Sequence, residues 1–136
     1  MQRTFVMIKP DGVRRGLVGE IIRRFEARGF RILSLRMQDV SPELAERHYE
    51  VHKGRSYYDA LVGFIVSGPV VALVLEAEDA VALARRMIGA LSPADASPGT
   101  IRGDLTTDTR ENLIHGADSP ETAAREIALW FPEMAA

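Results

Sequence analysis

The stretch Phe5-Val6-Met7-Ile8-Lys9-Pro10-Asp11-Gly12 joins a short apolar run to a turn sequence. Four consecutive apolar residues predict a buried β-strand, and the proline and glycine that follow predict the turn that ends it. Lys9 stands between the two, so we expect it at the end of the first strand.

Three further segments are typical of strands. Residues 30–37 alternate between apolar and polar side chains, residues 70–75 form an unbroken apolar run, and residues 113–114 form a short one. Apolar spacing and capping residues predict helices over residues 17–28, 42–51, 57–65 and 79–88, and from residue 120 onward. Residues 90–110 show no period and are rich in proline and glycine, which predicts an irregular, functional segment.

The predicted order of elements is therefore β-α-β-α-α-β-α-loop-β-α. Two β-α-β units with interleaved strands favour a ferredoxin-like α+β sandwich, in which helices cover a four-stranded antiparallel sheet. A parallel doubly wound sheet is the competing topology, because helices separate most of the strands. Periodicity alone does not choose between the two.

The composition excludes several classes of protein. A chain of 136 residues that is 46% hydrophobic is large enough for one core, so residues 1–136 are expected to form a single domain. The chain contains no cysteine, which excludes disulfides, thiolate metal sites and cysteine nucleophiles. A net charge of −2 argues against nucleic-acid binding as the main role. No signal peptide and no apolar run approaching ~20 residues is present, so a cytoplasmic location and no membrane partner are expected.

His115 is the strongest candidate for chemistry. It follows a short apolar run and precedes Gly116 and a predicted helix, and side chains at such a junction are presented at the edge of a sheet. Glu126 lies on the following helix, where its carboxylate could fix the tautomer of the imidazole and raise its basicity. The alternative is a structural histidine that bonds a main-chain carbonyl, with Glu126 in solvent.

Arg102 lies between glycines in the irregular segment Pro98-Gly99-Thr100-Ile101-Arg102-Gly103-Asp104, where its planar guanidinium could bind phosphate. The alternative is an arginine paired with Asp104 or Asp95. Arg85, Arg86 and Lys9 could add positive charge to the same site.

The remaining histidines, His48 and His52, are four residues apart on a predicted helix. A metal site there would need a third ligand, and no further ligand stands nearby in the sequence. Two exposed surface histidines are the favoured interpretation, and no metal-binding residue is predicted.

Six segments, taken together and in order, resemble the nucleoside diphosphate kinase family across almost the whole chain. They are Thr4-Phe5-Val6-Met7-Ile8-Lys9-Pro10-Asp11-Gly12-Val13, Arg15-Gly16-Leu17-Val18-Gly19-Glu20-Ile21, Ser67-Gly68-Pro69-Val70-Val71-Ala72, Pro98-Gly99-Thr100-Ile101-Arg102-Gly103-Asp104, Asn112-Leu113-Ile114-His115-Gly116 and Arg125-Glu126-Ile127-Ala128-Leu129-Trp130-Phe131.

The resemblance implies a ferredoxin-like enzyme that moves the γ-phosphate of a nucleoside triphosphate to a nucleoside diphosphate by a ping-pong mechanism. It implies that His115 is phosphorylated, with Mg²⁺ bound through the nucleotide phosphates, and that the chain forms a homo-oligomer, either a hexamer or a tetramer. The implied catalytic residues are His115, Glu126 and Lys9, and the implied nucleotide-binding residues are Lys9, Tyr49, Tyr57, Leu61, Arg85, Arg102 and Asn112. Tyr57 and Leu61 would hold the base against apolar surface, and the others would contact phosphates or ribose.

Two positions depart from the family. Ala117 stands where a serine hydroxyl usually bonds the glutamate, and Leu91 stands where a threonine usually contacts phosphate, although neighbouring Ser92 could replace it. We expect a weaker enzyme, not an inactive one. An RNA-binding module and a non-catalytic regulator are the competing functions. The first is disfavoured because the predicted strands carry only two aromatic residues, Phe5 and Phe30, and the second because His115, Lys9 and Arg102 are intact.

Overall fold

A computed structural model describes residues 1–134 as a four-stranded sheet with helices on both faces. The strands are β1 (Gln2–Ile8), β2 (Arg31–Gln38), β3 (Val70–Ala77) and β4 (Ile114–Gly116), and the α-helices are α1 (Pro10–Arg14), α2 (Val18–Arg28), α3 (Pro42–His48), α4 (Tyr58–Ile65), α5 (Ala80–Ile88), α6 (Ile101–Leu105) and α7 (Pro120–Trp130). Glu50–His52 and Pro132–Met134 form short 3₁₀ helices.

The strand order is β2-β3-β1-β4, and all three neighbouring pairs are antiparallel. The α+β prediction of a four-stranded antiparallel sheet covered by helices is thereby confirmed, and the parallel doubly wound alternative is wrong. β1 lies in the interior of the sheet and pairs with β3 on one side and β4 on the other, which suits the apolar run at residues 5–8.

The two faces of the sheet carry separate hydrophobic clusters, because successive side chains of a strand point to opposite sides. Val6 and Ile8 of β1 pack with α2 and α5, whereas Phe5 and Met7 pack with α3, α4 and α7. Phe5 and Phe30 are both buried, so neither predicted strand aromatic is available to stack a nucleic-acid base.

Two predicted irregular segments contain helices. The predicted turn after Lys9 forms the helix α1. Pro10 occupies its first position, where no helical hydrogen bond is lost because the N–H of that position has no partner within the helix. The segment 90–110 contains α6, capped by Thr100, whose hydroxyl accepts the Gly103 N–H at 2.9 Å. Both helices are five residues long, too short to produce a visible apolar period.

The predicted helix over residues 42–51 is also shorter than expected. It ends at His48, and the chain continues as the 3₁₀ helix Glu50–His52. Within residues 1–134, no helix combines the length and the apolar character needed to span a membrane.

Candidate active site

The short strand β4 places His115 on the inner side of the sheet edge. Its register pairs His115 with Met7, so both side chains point toward the face covered by α3 and α7. Gly116 follows because α5 packs closely there: a Cβ on this glycine would lie 2.6 Å from Cδ1 of Ile88. The glycine therefore allows α5 to pack closely against this strand.

α7 carries Glu126 to the imidazole of His115. Nε2 of His115 lies 2.9 and 3.0 Å from the two carboxylate oxygens, and Glu126 is buried, whereas the His115 side chain is 22% exposed. An ionised carboxylate only accepts hydrogen bonds, so it requires the proton of a neutral His115 on Nε2. The Nδ1 lone pair is then free, and no described residue hydrogen-bonds this nitrogen.

The surroundings keep His115 neutral. Burial and the positive charges of Lys9, Arg102 and Arg85 hold the pKa of His115 below its ordinary value. Burial also raises the pKa of Glu126. A neutral imidazole with one open nitrogen can act as a nucleophile at neutral pH.

Lys9 and Asn112 meet beside His115, although they are separated by 103 positions in the chain. Nζ of Lys9 donates to Oδ1 of Asn112 at 2.9 Å, and the main-chain N–H of Lys9 donates to the carbonyl of Leu113 at 2.8 Å. Burial and the charge of Arg102 lower the pKa of Lys9 to about 8. The ammonium group is therefore a desolvated charge next to the imidazole.

Arg102 and Arg85 bind main-chain carbonyls on either side of His115. Arg102 donates to the carbonyls of Ile114, Asn112 and Gly89 at 2.6, 3.1 and 3.1 Å, and Arg85 donates to that of Gly116 at 3.1 Å. The two guanidinium groups thus hold the strand that carries the imidazole.

Neither acidic alternative for Arg102 is found among residues 1–134. Asp104 instead bonds Arg24 at 2.9 Å and accepts the N–H of Gly99 at 2.8 Å.

His48 is buried, and the prediction of an exposed surface histidine is wrong for it. It is 3% exposed, and its ring meets that of His115 edge-on with centroids 4.7 Å apart. The indole N–H of Trp130 donates to Nδ1 of His48 at 3.0 Å. Helical spacing put His48 and His52 on one face, but His48 lies at the end of α3 and His52 in the 3₁₀ helix beyond it.

A series of ring contacts leads from His115 to Tyr57. The rings of His48 and Tyr49 lie 4.7 Å apart, those of Tyr49 and His52 6.3 Å, and those of His52 and Tyr57 5.4 Å. Tyr57 is 46% exposed and its hydroxyl lies 2.9 Å from Nδ1 of His52. Leu61 follows one helical turn later and is partly buried.

Comparison with known proteins agrees with this geometry. The family model for nucleoside diphosphate kinase matches residues 2–136. The chain belongs to the nucleoside diphosphate kinase family. It is therefore an enzyme of phosphoryl transfer between nucleotides.

Relatives match the chain over nearly its full length. A nucleoside diphosphate kinase from Picosynechococcus is 61% identical over 133 residues, which span 98% of this chain and 89% of the relative. One from Carboxydothermus hydrogenoformans is 59% identical with the same coverage. Among solved structures, a nucleoside diphosphate kinase from Halobacterium salinarum in complex with CDP has a TM-score of 0.92 and 48% identity, covering 96% of this chain and 87% of that chain. The apo enzyme from Encephalitozoon cuniculi has a TM-score of 0.93 and 41% identity, covering 96% of this chain and 89% of that chain.

The two positions that depart from the nucleoside diphosphate kinase family differ in environment. Ala117 is buried and packs with Val81 and Ala123, whereas Leu91 is 54% exposed just beyond α5. A hydroxyl at residue 117 would therefore enter a packed space, and one at residue 91 would not.

Sequence reasoning missed three residues of this nucleoside diphosphate kinase site: His48, Trp130 and Asp11. Trp130 lies in the last predicted helix and Asp11 in the predicted turn after Lys9. The carboxylate of Asp11 is buried, and one of its oxygens accepts the N–H of Leu113 at 2.9 Å. No local signal distinguishes these residues, because each partner lies 82 or more positions away.

Proposed function

We propose that His115 is the nucleophile of a ping-pong phosphotransfer. The observation that carries the proposal is the difference in hydrogen bonding between its two ring nitrogens. Nε2 is held by Glu126, while Nδ1 has no hydrogen-bond partner among residues 1–134. Lys9, Arg102 and Arg85 lie close enough for their positive charge to act on His115, and a phosphoryl group bound there needs such charge.

In the first half-reaction, the Nδ1 lone pair forms a bond to the γ-phosphorus of the triphosphate. The bond from that phosphorus to its bridging oxygen breaks, and the diphosphate leaves with the electron pair. In the second half-reaction, a terminal oxygen of another diphosphate attacks the phosphorus, and the electron pair of the P–N bond returns to Nδ1. Glu126 keeps the proton on Nε2 throughout and stabilises the positive charge that the ring develops.

The remaining predicted residues are proposed to bind the nucleotide. Lys9 and Arg102 neutralise charge on the transferred phosphoryl group, and Arg85, Asn112 and Tyr49 contact phosphates or ribose. Tyr57 and Leu61 hold the base through apolar contact, which does not depend on the donors and acceptors of a particular base. This arrangement suits an enzyme that accepts many nucleoside di- and triphosphates.

A divalent cation accompanies the nucleotides in this family, and we propose that it is Mg²⁺ held by phosphate oxygens. Lys9, Arg85 and Arg102 are donors that suit phosphate and not a metal ion. His48, His115 and Glu126 place potential ligand atoms within 4.8 Å of one another, but Trp130 and the His115–Glu126 bond already use these atoms. Mg²⁺ would neutralise phosphate charge, and the chain would hold the phosphates.

The deciding experiment is to incubate the protein with γ-labelled ATP and Mg²⁺ and isolate it. We expect a label that is lost in acid, stable in base, and released as labelled triphosphate on addition of unlabelled CDP. His115→Ala should take up no label, and the matched control His52→Ala should label within a few-fold of the parent. Labelling that persists in His115→Ala would overturn the proposal.

We also propose that the chain forms a homo-oligomer. β2 is an edge strand of the sheet, and its Leu35 and Met37 side chains are exposed, so a second copy could cover them. Light scattering of the purified protein distinguishes a monomer from a tetramer or hexamer.

The single domain and the cytoplasmic location stay predictions. Limited proteolysis checks the single domain, and cell fractionation checks the location.

A further inference from the structure

Leu113 has an unusual backbone conformation at the entrance to β4. Its φ is +75°, in the left-handed region that bulky side chains rarely adopt, and its side chain is fully buried. Leu113 separates Asn112, which binds Lys9, from Ile114 and His115. The direction of the chain at this one residue therefore sets how the amide of Asn112 and the imidazole of His115 are placed.

The segment at the start of α1 binds both the N–H and the carbonyl of Leu113. A carboxylate oxygen of Asp11 accepts the Leu113 N–H at 2.9 Å, and the Lys9 N–H donates to the Leu113 carbonyl at 2.8 Å. The two segments are so close that a Cβ on Gly12 would lie 3.2 Å from the Leu113 carbonyl oxygen. These bonds keep the residue in a conformation that it would not favour alone.

Asp11 also supplies negative charge to the site. Lys9 forms no ion pair within 4.0 Å among residues 1–134, and neither does Arg102. Asp11 is 2% exposed, and its second carboxylate oxygen has no hydrogen-bond partner within that range. Its charge raises the pKa of Lys9 and of Arg102 against the effect of burial.

We propose that Asp11 is a positioning residue of the phosphotransfer site, whose buried carboxylate holds Leu113 in its left-handed conformation and acts on Lys9, which is bound to the same residue. The inference rests on the proposed function of His115. Asp11 acts through Leu113 and Lys9 and does not touch the phosphoryl group. A purely structural Asp11 would support the backbone only and would leave the titration of Lys9 unchanged.

Asp11→Asn separates these roles, because an amide oxygen can still accept the Leu113 N–H while the charge is lost. Asp11→Ala removes both. Asp108→Asn is the matched control, since the Asp108 carboxylate also accepts main-chain N–H groups but lies in an exposed turn. The chain has two lysines, Lys9 and Lys53, so carbon NMR of labelled lysine gives two side-chain signals, of which Lys53→Arg assigns one.

We expect Asp11→Asn to lower kcat by about tenfold or more and to move the Lys9 titration to lower pH, with the Lys53 signal as internal reference. Asp11→Ala should lower kcat further, and if it fails to fold, Asp11→Asn alone decides. An unmoved Lys9 titration in Asp11→Asn overturns the proposal, and so does a kcat within twofold of the parent. If the parent forms no phosphohistidine, the proposed function fails separately, and the Lys9 titration still tests Asp11.

Discussion

Trp130 fixes the tautomer of His48. The indole N–H can only donate, and it donates to Nδ1 of His48 at 3.0 Å, so a neutral His48 carries its proton on Nε2. Burial holds the pKa of His48 below its ordinary value. Nδ1 of His48 lies 3.8 Å from Glu126, so the indole prevents His48 from competing with His115 for that carboxylate.

Trp130→Phe should lower the free energy of unfolding by about 1–3 kcal/mol, because the buried Nδ1 of His48 loses its donor. The rate of phosphoenzyme formation should fall as well, since His48 can then offer an Nδ1 proton to Glu126. Urea unfolding and single-turnover labelling measure the two effects. A double-mutant cycle with His48→Phe separates the loss of the hydrogen bond between Trp130 and His48 from the loss of buried indole area. Additive losses of stability would contradict a coupling between the two side chains.

Glu126→Gln should slow phosphoenzyme formation by about 10–100-fold, because the orientation and basicity of His115 depend on this carboxylate. The unfolding free energy should not fall at pH 8. Burial raises the pKa of Glu126 in the folded state, so the ionised carboxylate destabilises the fold at pH values above that pKa. Glu121→Gln, on the exposed side of the same helix, is the control. A clear loss of stability in Glu126→Gln would show that the carboxylate serves the fold.

Arg102→Lys should lower both stability and kcat/KM. Lysine can replace one of the three bonds to the carbonyls of Gly89, Asn112 and Ile114 but not all three, and the loss of two bonds from a charged donor costs about 3 kcal/mol or more. Thermal or urea unfolding together with steady-state kinetics measures this. Arg86→Lys is the matched control on the exposed surface of α5. Full activity in Arg102→Lys would contradict a need for the planar guanidinium.

Activity should fall as the pH rises through about 8, where Lys9 loses its proton. On the acid side, the rate should fall as Glu126 takes up a proton, since burial raises the pKa of Glu126 to about 7, whereas the lowered pKa of His115 keeps the imidazole itself neutral. The rate of phosphoenzyme formation, measured across the pH range with saturating Mg²⁺, gives both limits. Lys53→Arg should leave the profile unchanged. A rate that stays constant well above pH 8 would show that the charge of Lys9 is not needed.

Leu91→Thr should tighten nucleotide binding by about fivefold if a hydroxyl at this position contacts phosphate. Leu91 is exposed, so the change removes no core packing. Calorimetry with ADP and Mg²⁺ measures the affinity. Ser92→Ala tests whether the neighbouring hydroxyl already replaces the missing threonine. Unchanged affinity in both variants would show that the departure at Leu91 has no functional effect.

Local pattern was sufficient for most elements of the fold. The apolar run at residues 70–75 predicted β3, because burial on both faces of a sheet leaves an unbroken apolar stretch. The alternation at residues 30–37 predicted β2, although two of its apolar side chains, Leu35 and Met37, are exposed at the sheet edge. α1 and α6 were missed because each forms a single short turn whose glycine and proline content is typical of loops.

The sequence by itself determined the family, the four strands with the longer helices between them, and His115 and Glu126 as a candidate pair, since a strand and the helix after it are close in the chain. Only the tertiary structure decided that His48 is buried against His115 and that Asp11 reaches Leu113. The physical reason is that burial and charge at this site come from strand pairing and helix packing. These join residues about a hundred positions apart, as Lys9 and Asn112 are joined, and no periodicity along the chain records them.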